Sequence, residues 1–327
     1  MTETLKIHRD GAAGPIRIPG PRHVTILMGL MNGGRFIDDQ LDSLVRQHHQ
    51  DWSLIVGDDG SADDGPARVA RFADIQSDRT IRRYRSAGRG FARNYLSLLL
   101  AAGPKTPYAA FADQDDVWFA DKLSRAVGAL ARLPRDVPAL YCARTTISDA
   151  DLSVRGMSPL FRKPPGFGNA LVQSIAGANT MVMNRAALDL LQAAAARDVD
   201  PVSHDWWAYQ MIAGAGGRVI YDPEPALLYR QHDRNLVGSN RGLSARLSRI
   251  RRLFGGTFTG WTDRNLAALT AASDLLTEEN RRILDAFIAA RAAGPLSQLG
   301  CLGRLGIRRQ TIPGTLALHT AAALGRL

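Results

Sequence analysis

The first part of the chain alternates between two kinds of segment, which differ in how their hydrophobic and polar positions are arranged. Short apolar runs at residues 24–31, 52–56 and 108–112 predict strands, and the arginine-rich segment 81–85 predicts a further short strand. Each is followed by residues in which apolar side chains recur at helical spacing, as in the segment 90–102. Strands that alternate with helices of this size predict an α/β fold with a mostly parallel sheet and helices on both faces.

The pattern is less regular beyond residue 120. We predict helices at 122–133, 185–196 and 205–213, strands at 139–144, 180–183 and 218–221, and an irregular stretch at 148–168. Beyond Asn240 the chain becomes rich in arginine and predicts amphipathic helices, including 265–276 and 278–290. We therefore expect an N-terminal extension (1–22), a main domain (23–240) and a basic helical tail (241–327).

The composition limits the classes of protein to which the chain can belong. With 327 residues, 45% hydrophobic and 22% charged, the chain can bury a core and is not a disordered sequence. Its two cysteines, Cys142 and Cys301, are far apart, which fits a reducing compartment. The first 20 residues lack the apolar centre of a secretory signal, and no apolar run approaches the roughly 18 residues that span a bilayer. We expect a cytoplasmic protein.

The positive charge is concentrated near the C-terminus. The net charge is +10, and residues 241–327 hold 13 arginines against five acidic residues. An amphipathic basic segment at 246–254 suits an anionic membrane surface. Nucleic acid and a solvated helical face are the alternatives that the charge leaves open.

An acidic turn follows the second predicted strand. Residues 58–61 read Asp-Asp-Gly-Ser. A carboxylate there can accept hydrogen bonds from a nucleobase or a ribose hydroxyl, while Gly60 permits a sharp turn and Ser61 can cap the next helix. Taken alone, this string also fits an ordinary turn with a helix cap.

A second acidic cluster ends the strand at 108–112. Asp113, Asp115 and Asp116 lie within four positions, where their like charges repel. A divalent cation removes that repulsion, and oxygen ligands suit Mg²⁺ or Mn²⁺. Such a metal can hold a diphosphate, although an acidic loop that caps a helix is the simpler alternative. Both clusters follow strands of one parallel sheet, so one cleft is expected to collect them.

These motifs resemble the family 2 glycosyltransferases, which are inverting, nucleotide-sugar-dependent enzymes with a GT-A fold. The resemblance lies in the Asn32-Gly33 pair, the segment 40–44, the turn 58–61 and the string 113–118, Asp-Gln-Asp-Asp-Val-Trp. It covers about residues 24–240. More narrowly, the chain is similar to the rhamnosyltransferase-like branch, and the motifs are specific for the family but weak for the sugar.

The resemblance implies roles for the acidic residues. Asp59 would hold the base or ribose of the nucleotide, with Asp58 nearby. Asp113 would approach the ribose. Asp115, with or without Asp116, would bind a Mg²⁺ or Mn²⁺ ion on the diphosphate.

The resemblance also implies roles for residues elsewhere in the domain. Asn94 lies in a segment that runs beside the nucleotide in the family, although Ala87 stands near the place where the family usually has an Asn. Arg230 would pair with phosphate oxygens. His232 would be a metal ligand, with a structural histidine as the alternative.

The segment 203–207, Ser-His-Asp-Trp-Trp, matches the position of the family's general base. The family often has Glu-Asp there, and His204 replaces the Glu, so the resemblance makes Asp205 the catalytic base. Asp205 as a helix cap is the alternative. Trp206 and Trp207 would stack on a sugar ring or pack in the core.

The sequence therefore predicts a metal-dependent inverting glycosyltransferase. The branch implies dTDP-L-rhamnose, or else a UDP-sugar, as donor and a cell-surface glycan or lipid-linked precursor as acceptor. We expect peripheral contact with the inner face of the membrane and no nucleic-acid partner. A non-catalytic module that binds nucleotide-sugars or polyanions is the alternative, and a nucleotidyltransferase is disfavoured because its Gly-rich phosphate loop is missing.

Overall fold

The fold is built on one mixed sheet. The computed structural model describes residues 8–10, 19–233 and 257–327. In this part the strands are β1 (His8–Asp10), β2 (Val24–Leu30), β3 (Trp52–Asp58), β4 (Ile81–Arg85), β5 (Tyr108–Ala112), β6 (Val117–Trp118), β7 (Ala139–Ser148), β8 (Val154–Met157), β9 (Val182–Asn184) and β10 (Arg218–Arg230). Their order across the sheet is β1-β4-β3-β2-β5-β9-β7-β10-β6, and β8 pairs with β7.

The helices of the described residues are α1 (Ile37–Val45), α2 (Gly65–Ile75), α3 (Phe91–Ala101), α4 (Lys122–Leu130), α5 (Phe167–Ala170), α6 (Arg185–Ala195), α7 (His204–Gly214), α8 (Thr257–Thr270), α9 (Glu278–Ala292), α10 (Pro295–Arg304) and α11 (Ile312–Ala323). Side-chain oxygens of Asn184, Thr277 and Thr311 accept backbone hydrogen bonds at the starts of α6, α9 and α11. These caps satisfy donors that the first turn of a helix leaves without partners. Within these ranges no helix is both long and apolar enough to cross a bilayer.

Four neighbouring strands are parallel. β3 pairs with β4 and β2, and β2 pairs with β5, all in the same direction. Their carboxyl ends therefore lie along one edge of the sheet, as the sequence pattern predicts. Beyond them β9 is antiparallel to β5 and β7, and β10 is parallel to β7.

The two faces of the sheet carry separate hydrophobic clusters. Leu27 belongs to a cluster with side chains of α3, α6 and α7, whereas Ile26 and Met28 belong to a cluster with α1 and α4. Successive side chains of a strand point to opposite faces, so the apolar run of β2 is buried on both sides. The α/β class is confirmed, with helices on both faces.

The C-terminal helices join the first of these clusters. Leu276, which precedes α9, lies so close to α7 that a Cβ at Gly214 would collide with it. The amide of Asn280 donates to the carbonyls of Ala213 and Gly214, at 3.2 and 3.0 Å, and so caps the end of α7. The expected boundary near Asn240 and the amphipathic segment 246–254 lie outside the described residues.

Candidate active site

The acidic turn after β5 is fastened to the end of β2. The Gln114 side chain accepts a hydrogen bond from the Met31 amide at 2.7 Å and donates to the Met31 carbonyl at 3.0 Å. This pair of bonds links the two chain segments beyond their last strand residues. Gly33 provides the space, because a Cβ there would overlap the Gln114 amide. The sequence motif contains Gln114, but its role as a clamp was not predicted.

The loop after β3 is fastened in the same manner. Asp58 accepts from the Ser61 amide at 3.0 Å, and the Ser61 hydroxyl accepts from the amide of Asn32 at 2.9 Å. Asn32 has a φ of +51°, a left-handed conformation that Asn tolerates better than most residues. Asp59 accepts from the Gly90 amide at 2.9 Å. The loops after β2, β3 and β4 are therefore held together at one edge.

Asn94 supports this edge of the sheet from its buried side. Its side chain is buried and donates to the Gly57 carbonyl at 2.7 Å. Gly57 has no room for a Cβ because Asn94 lies against it. Asn94 thus holds the backbone that carries Asp58 and Asp59 and does not itself face outward.

Asp113 is held by a buried tyrosine. The Tyr95 hydroxyl lies 2.8 Å from Asp113 Oδ1 and 2.6 Å from the Ala112 carbonyl. Burial, followed by the charge of Asp115, raises the pKa of Asp113 to about 7, and the charge of Asp205 contributes in the same direction. The charges of Asp115, in the same turn, and of Asp205, in α7, thus both act on the Asp113 carboxyl.

Asp115 meets His232. The imidazole Nε2 and the Asp115 Oδ2 are 2.7 Å apart, and both side chains are mostly buried. The imidazole also packs against the ring of Phe36, with 4.7 Å between ring centroids. A carboxylate and an imidazole that converge in this way are a donor pair suited to a divalent transition metal.

Asp116 faces the interior. Its carboxylate is fully buried and accepts from the Asn179 amide at 2.5 Å and from the Arg230 backbone amide at 3.3 Å. Burial, followed by the charges of Asp115 and Asp113, raises the pKa of Asp116 well above its ordinary value. These contacts fit a residue that positions the turn better than they fit a metal ligand.

Arg230 is also occupied by protein atoms. Its guanidinium donates to the Asp115 carbonyl at 2.9 Å, to the Ala150 carbonyl at 2.5 Å and to the Asp39 carboxylate at 2.6 Å. The side chain is almost fully buried and its plane lies over Phe36. Arg230 thus fixes the backbone of Asp115, and its contact with phosphate stays a prediction.

Lys122 was not predicted as a site residue. Its side chain is fully buried, donates to the Asn179 carbonyl at 2.6 Å and places its ammonium 2.9 Å from the Trp118 ring centroid. Burial lowers the pKa of Lys122 well below its ordinary value, and the charges of Asp116 and Asp113 oppose that shift. A signal was available, because Lys122 lies four residues before the buried Ala126 on the inner face of α4.

Asp205 lies in the first turn of α7, at the rim of the same region. Burial raises the pKa of Asp205, and hydrogen bonds from Ser203 and the Trp206 amide oppose the shift. Trp206 and Trp207 are both buried, and the Trp206 indole donates to the Ala170 carbonyl at 2.6 Å. The two indoles therefore pack in the core of this structure.

His204 stacks on Tyr95, with 3.7 Å between ring centroids and 11° between the planes. Neither imidazole nitrogen has a hydrogen-bond partner among the described residues. Burial lowers the pKa of His204 to about 3, so the ring is neutral near pH 7. The stack connects α7 to the tyrosine that holds Asp113.

Among residues 8–10, 19–233 and 257–327, no group of three or more His, Cys, Asp or Glu side chains is arranged to hold an ion. Asp115 and His232 would be two protein ligands. Mg²⁺ and related ions are commonly held by one or two carboxylates together with substrate phosphates.

The sequence matches a known family over half of its length. The model of "Glycosyl transferase family 2" matches residues 25–188, which is 164 of the 327 residues. The matched residues form most of the mixed sheet, including the parallel strands that end at the carboxylates. The chain belongs to glycosyl transferase family 2, and it is a glycosyltransferase.

Two curated relatives are similar in sequence. A dTDP-rhamnosyl transferase RfbG of Shigella flexneri is 26% identical over 236 residues, which cover 68% of this chain and 78% of that protein. A UDP-Glc:alpha-D-GlcNAc-diphosphoundecaprenol beta-1,3-glucosyltransferase WfgD of Escherichia coli is 31% identical over 109 residues, covering 33% of this chain and 41% of that protein.

Two solved structures are similar in fold. Residues 1–349 of S. aureus TarS, in complex with UDP, align with a TM-score of 0.53 at 13% identity, covering 82% of this chain and 71% of that chain. The mannosyltransferase PcManGT from Pyrobaculum calidifontis, in complex with GDP-Man and Mn²⁺, aligns with a TM-score of 0.50 at 20% identity, covering 98% and 90%. The predicted GT-A type of fold is confirmed.

Proposed function

We propose that this protein is a metal-dependent inverting glycosyltransferase that takes a sugar from a nucleotide-sugar and transfers it to a hydroxyl group. The observation that carries the proposal is the 2.7 Å contact between Asp115 and His232, beside Asp113 and beyond the end of the parallel strand β5. In α/β sheets this edge is where ligands bind. Asp113 and Asp115 would give the donor site partly buried carboxylates, and Asp205 would be its candidate base.

The nucleotide would bind at Asp58 and Asp59. One carboxylate oxygen of Asp59 is buried and has no hydrogen-bond partner among the described residues, so it is free to accept from a ribose hydroxyl or a base N–H. Asp58 borders a cavity of about 60 Å³ that Arg83 and Arg85 also line. Asp113, held by Tyr95, would complete the ribose side.

Asp115 and His232 would hold a Mg²⁺ or Mn²⁺ ion. When bound, the ion would stabilise the charge of the departing diphosphate as a Lewis acid. We leave Asp116 out of the ligand set because its carboxylate faces Asn179 and the Arg230 amide. Arg230 would act by fixing the Asp115 backbone.

Asp205 would take the proton from the acceptor hydroxyl. A carboxylate with a raised pKa is a better proton acceptor than an ordinary surface aspartate, and positioned general bases contribute about 10²- to 10⁴-fold in rate. The hydroxyl would then displace the nucleotide diphosphate from the opposite side of the anomeric carbon. One displacement inverts the configuration, so no enzyme nucleophile is required.

For the donor we propose dTDP-L-rhamnose, with a UDP-sugar as the other candidate. The similarity to the Shigella rhamnosyl transferase supports this choice. As acceptor we propose a cell-surface glycan or its lipid-linked precursor, reached from the cytoplasmic side of the membrane. The similarity to the E. coli enzyme, whose name gives a diphosphoundecaprenol acceptor, supports the lipid-linked form.

The test is a thermal-shift screen of dTDP, UDP and their sugars, each with and without Mn²⁺, followed by turnover of the best donor. A ligand at about 100 times its dissociation constant adds roughly 2.7 kcal/mol of stability. We expect stabilisation that requires the metal. We also expect Asp205→Asn to bind the donor normally while turnover falls by about 10²-fold or more.

Two results would contradict the proposal. If no nucleotide stabilises the protein in either metal condition, the acidic edge is not a donor site. If nucleotides bind but neither wild type nor Asp205→Asn transfers or hydrolyses a sugar, the protein is a non-catalytic nucleotide-sugar module.

A further inference from the structure

The last described helix, α11, has apolar residues on its exposed side as well as on its buried side. Leu318 and Ala322 are buried against the rest of the protein. On the outer side Ile312 is 70% exposed and Leu316 is 64% exposed. The helix contains no charged residue. Packing on the protein accounts for one side only, and a surface helix usually turns charged or polar residues to solvent on the other.

The exposed side continues onto the neighbouring helix. A Cβ at Gly325 would lie 3.4 Å from the Pro295 ring, which places the end of α11 beside the start of α10. There Leu296 is 86% exposed and Leu324 is 49% exposed. We call these four residues the apolar face: Leu296, Ile312, Leu316 and Leu324. Ile312 and Leu316 are one turn apart on α11, the exposed Thr320 follows one turn later, and Leu324 lies directly after the helix.

The residues of α10 and α11 carry charge of one sign, and the nearby carboxylate of Asp263 in α8 pairs with Arg291 at 2.7 Å. From residue 286 to the end of the printed sequence there are five arginines and no Asp or Glu. Arg304 and Arg308 are exposed and precede Ile312 in the chain. Exposed apolar side chains with arginines at the rim match an anionic lipid surface, which accepts both the apolar groups and the charge.

A second copy of the chain matches this surface less well. A two-fold interface places the same patch of each subunit against the other. The arginines at the rim would then face arginines, which is unfavourable. The charge therefore favours lipid over self-association.

We propose that the apolar face of α10 and α11 docks onto an anionic lipid bilayer and inserts its four side chains at the level of the headgroups. This surface is separate from the candidate active site, and the inference does not depend on the identity of the donor. It also does not involve the residues between 233 and 257.

The apolar face is tied to the helix that carries the candidate base. The Asn169 amide donates to the Arg308 carbonyl at 3.0 Å, and its oxygen lies 3.0 Å from the Tyr209 hydroxyl in α7. The adjacent Ala170 carbonyl accepts from the Trp206 indole in the same helix. Docking would therefore set the position of α7 relative to the lipid surface.

The test is vesicle co-sedimentation of the full chain. Vesicles of phosphatidylcholine mixed with phosphatidylglycerol are compared with vesicles of phosphatidylcholine alone, for wild type and for Leu296→Glu/Leu316→Glu. Both positions are exposed, so we expect the fold to survive, and circular dichroism checks this. We expect binding to the anionic vesicles to fall at least about tenfold in the double variant. The matched control is Ile75→Glu on α2, which is 76% exposed and should bind as wild type does.

Three outcomes would overturn the inference. Wild type that does not bind anionic vesicles, or a double variant that binds them as well as wild type, excludes this docking surface. A wild-type dimer in sedimentation that the double variant converts to monomer, without any vesicle binding, identifies a second copy as the occupant. Donor binding is measured on the same preparations, so a failure of lipid docking is distinguished from a failure of the proposed transfer reaction.

Discussion

The imidazole of His232 and the carboxylate of Asp115 lie 2.7 Å apart, although 117 residues separate them in the chain. The two follow β10 and β5, which are not neighbours in the sheet. The two-residue strand β6 makes the meeting possible, because Val117 and Trp118 pair with Leu228 and Leu227 of β10 directly after the acidic turn. The candidate metal pair therefore depends on a short antiparallel pairing at the edge of the sheet.

The first prediction concerns this pair. His232→Ala removes one of the two proposed ligands, so we expect the affinity for Mn²⁺ in the presence of a nucleotide diphosphate to fall at least about tenfold. The measurement is a Mn²⁺ titration of the nucleotide-dependent thermal shift. His48→Ala, an exposed histidine after α1, is the control. An unchanged titration in His232→Ala would remove His232 from the ligand set.

The second prediction concerns Lys122. Lys122→Met removes the buried ammonium that faces the Asn179 carbonyl and lies near Asp116, and so leaves a buried carboxylate without its compensating charge. We expect the free energy of unfolding in urea to fall by about 3 kcal/mol. Lys105→Met, at an exposed position, should change it by less than about 0.5 kcal/mol.

A double-mutant cycle separates charge balance from simple packing. In Lys122→Met/Asp116→Asn the carboxylate is removed as well, so the loss of stability should be smaller than the sum of the two single losses by about 1 kcal/mol or more. If the two losses of unfolding free energy are additive, Lys122 stabilises the fold independently of Asp116.

The third prediction concerns pH. Burial lowers the pKa of His204 to about 3, whereas an unfolded histidine titrates near 6.5. Below pH 6.5 the unfolded chain therefore binds a proton that the folded chain does not, and stability falls as the pH falls. His204→Phe keeps an aromatic ring against Tyr95 and removes this titration.

The difference between wild type and His204→Phe measures the effect, because all other titrating groups are shared. Relative to the variant, wild type should lose about 2 kcal/mol of unfolding free energy between pH 7.5 and pH 5. The measurement is urea unfolding at both pH values. A difference that does not vary with pH would show that the imidazole has the same pKa in the folded protein as in the unfolded chain.

The fourth prediction concerns the clamp between Gln114 and Met31. Gly33→Ala places a methyl group where the Gln114 amide lies, so Gln114 must release its two bonds to Met31. We expect the KM for the donor to rise about fivefold, since the acidic turn loses its link to β2. Gly103→Ala, where a Cβ meets nothing within 4 Å, is the control. An unchanged KM in Gly33→Ala would show that the clamp does not position the donor site.

Much of the central sheet was predictable. The segment 108–112 matches β5 because a buried strand in a parallel sheet appears as a continuous apolar run, and the arginine-rich segment 81–85 matches β4. The predicted strand 218–221 is the first part of β10, which continues to Arg230. Pro223 and Pro225 interrupt its pattern, and its pairing shifts register there. β8 lies inside the stretch predicted as irregular, because most of its side chains are exposed and carry no apolar alternation.

The sequence indicated where the candidate site lies but not how its side chains are arranged. The acidic clusters meet because parallel strands end at one edge, which the pattern of strands and helices implies. Contacts with residues that are distant in the sequence decide which of the three neighbouring carboxylates is buried. Asp116 faces the interior because Asn179 and Arg230 provide its hydrogen bonds. Lys122 carries a charge, so composition alone predicts it at the surface.

The cap that Asn280 forms on α7 has a consequence for building hybrid proteins from relatives. Its amide serves the carbonyls of Ala213 and Gly214, so the helix that begins with the candidate base ends on a residue of α9. A chimera that exchanges only the C-terminal helices would cut across this contact and disturb Asp205 from the far end of its helix. The unit of exchange should therefore begin before α7, so that the base, its helix and the cap are inherited together.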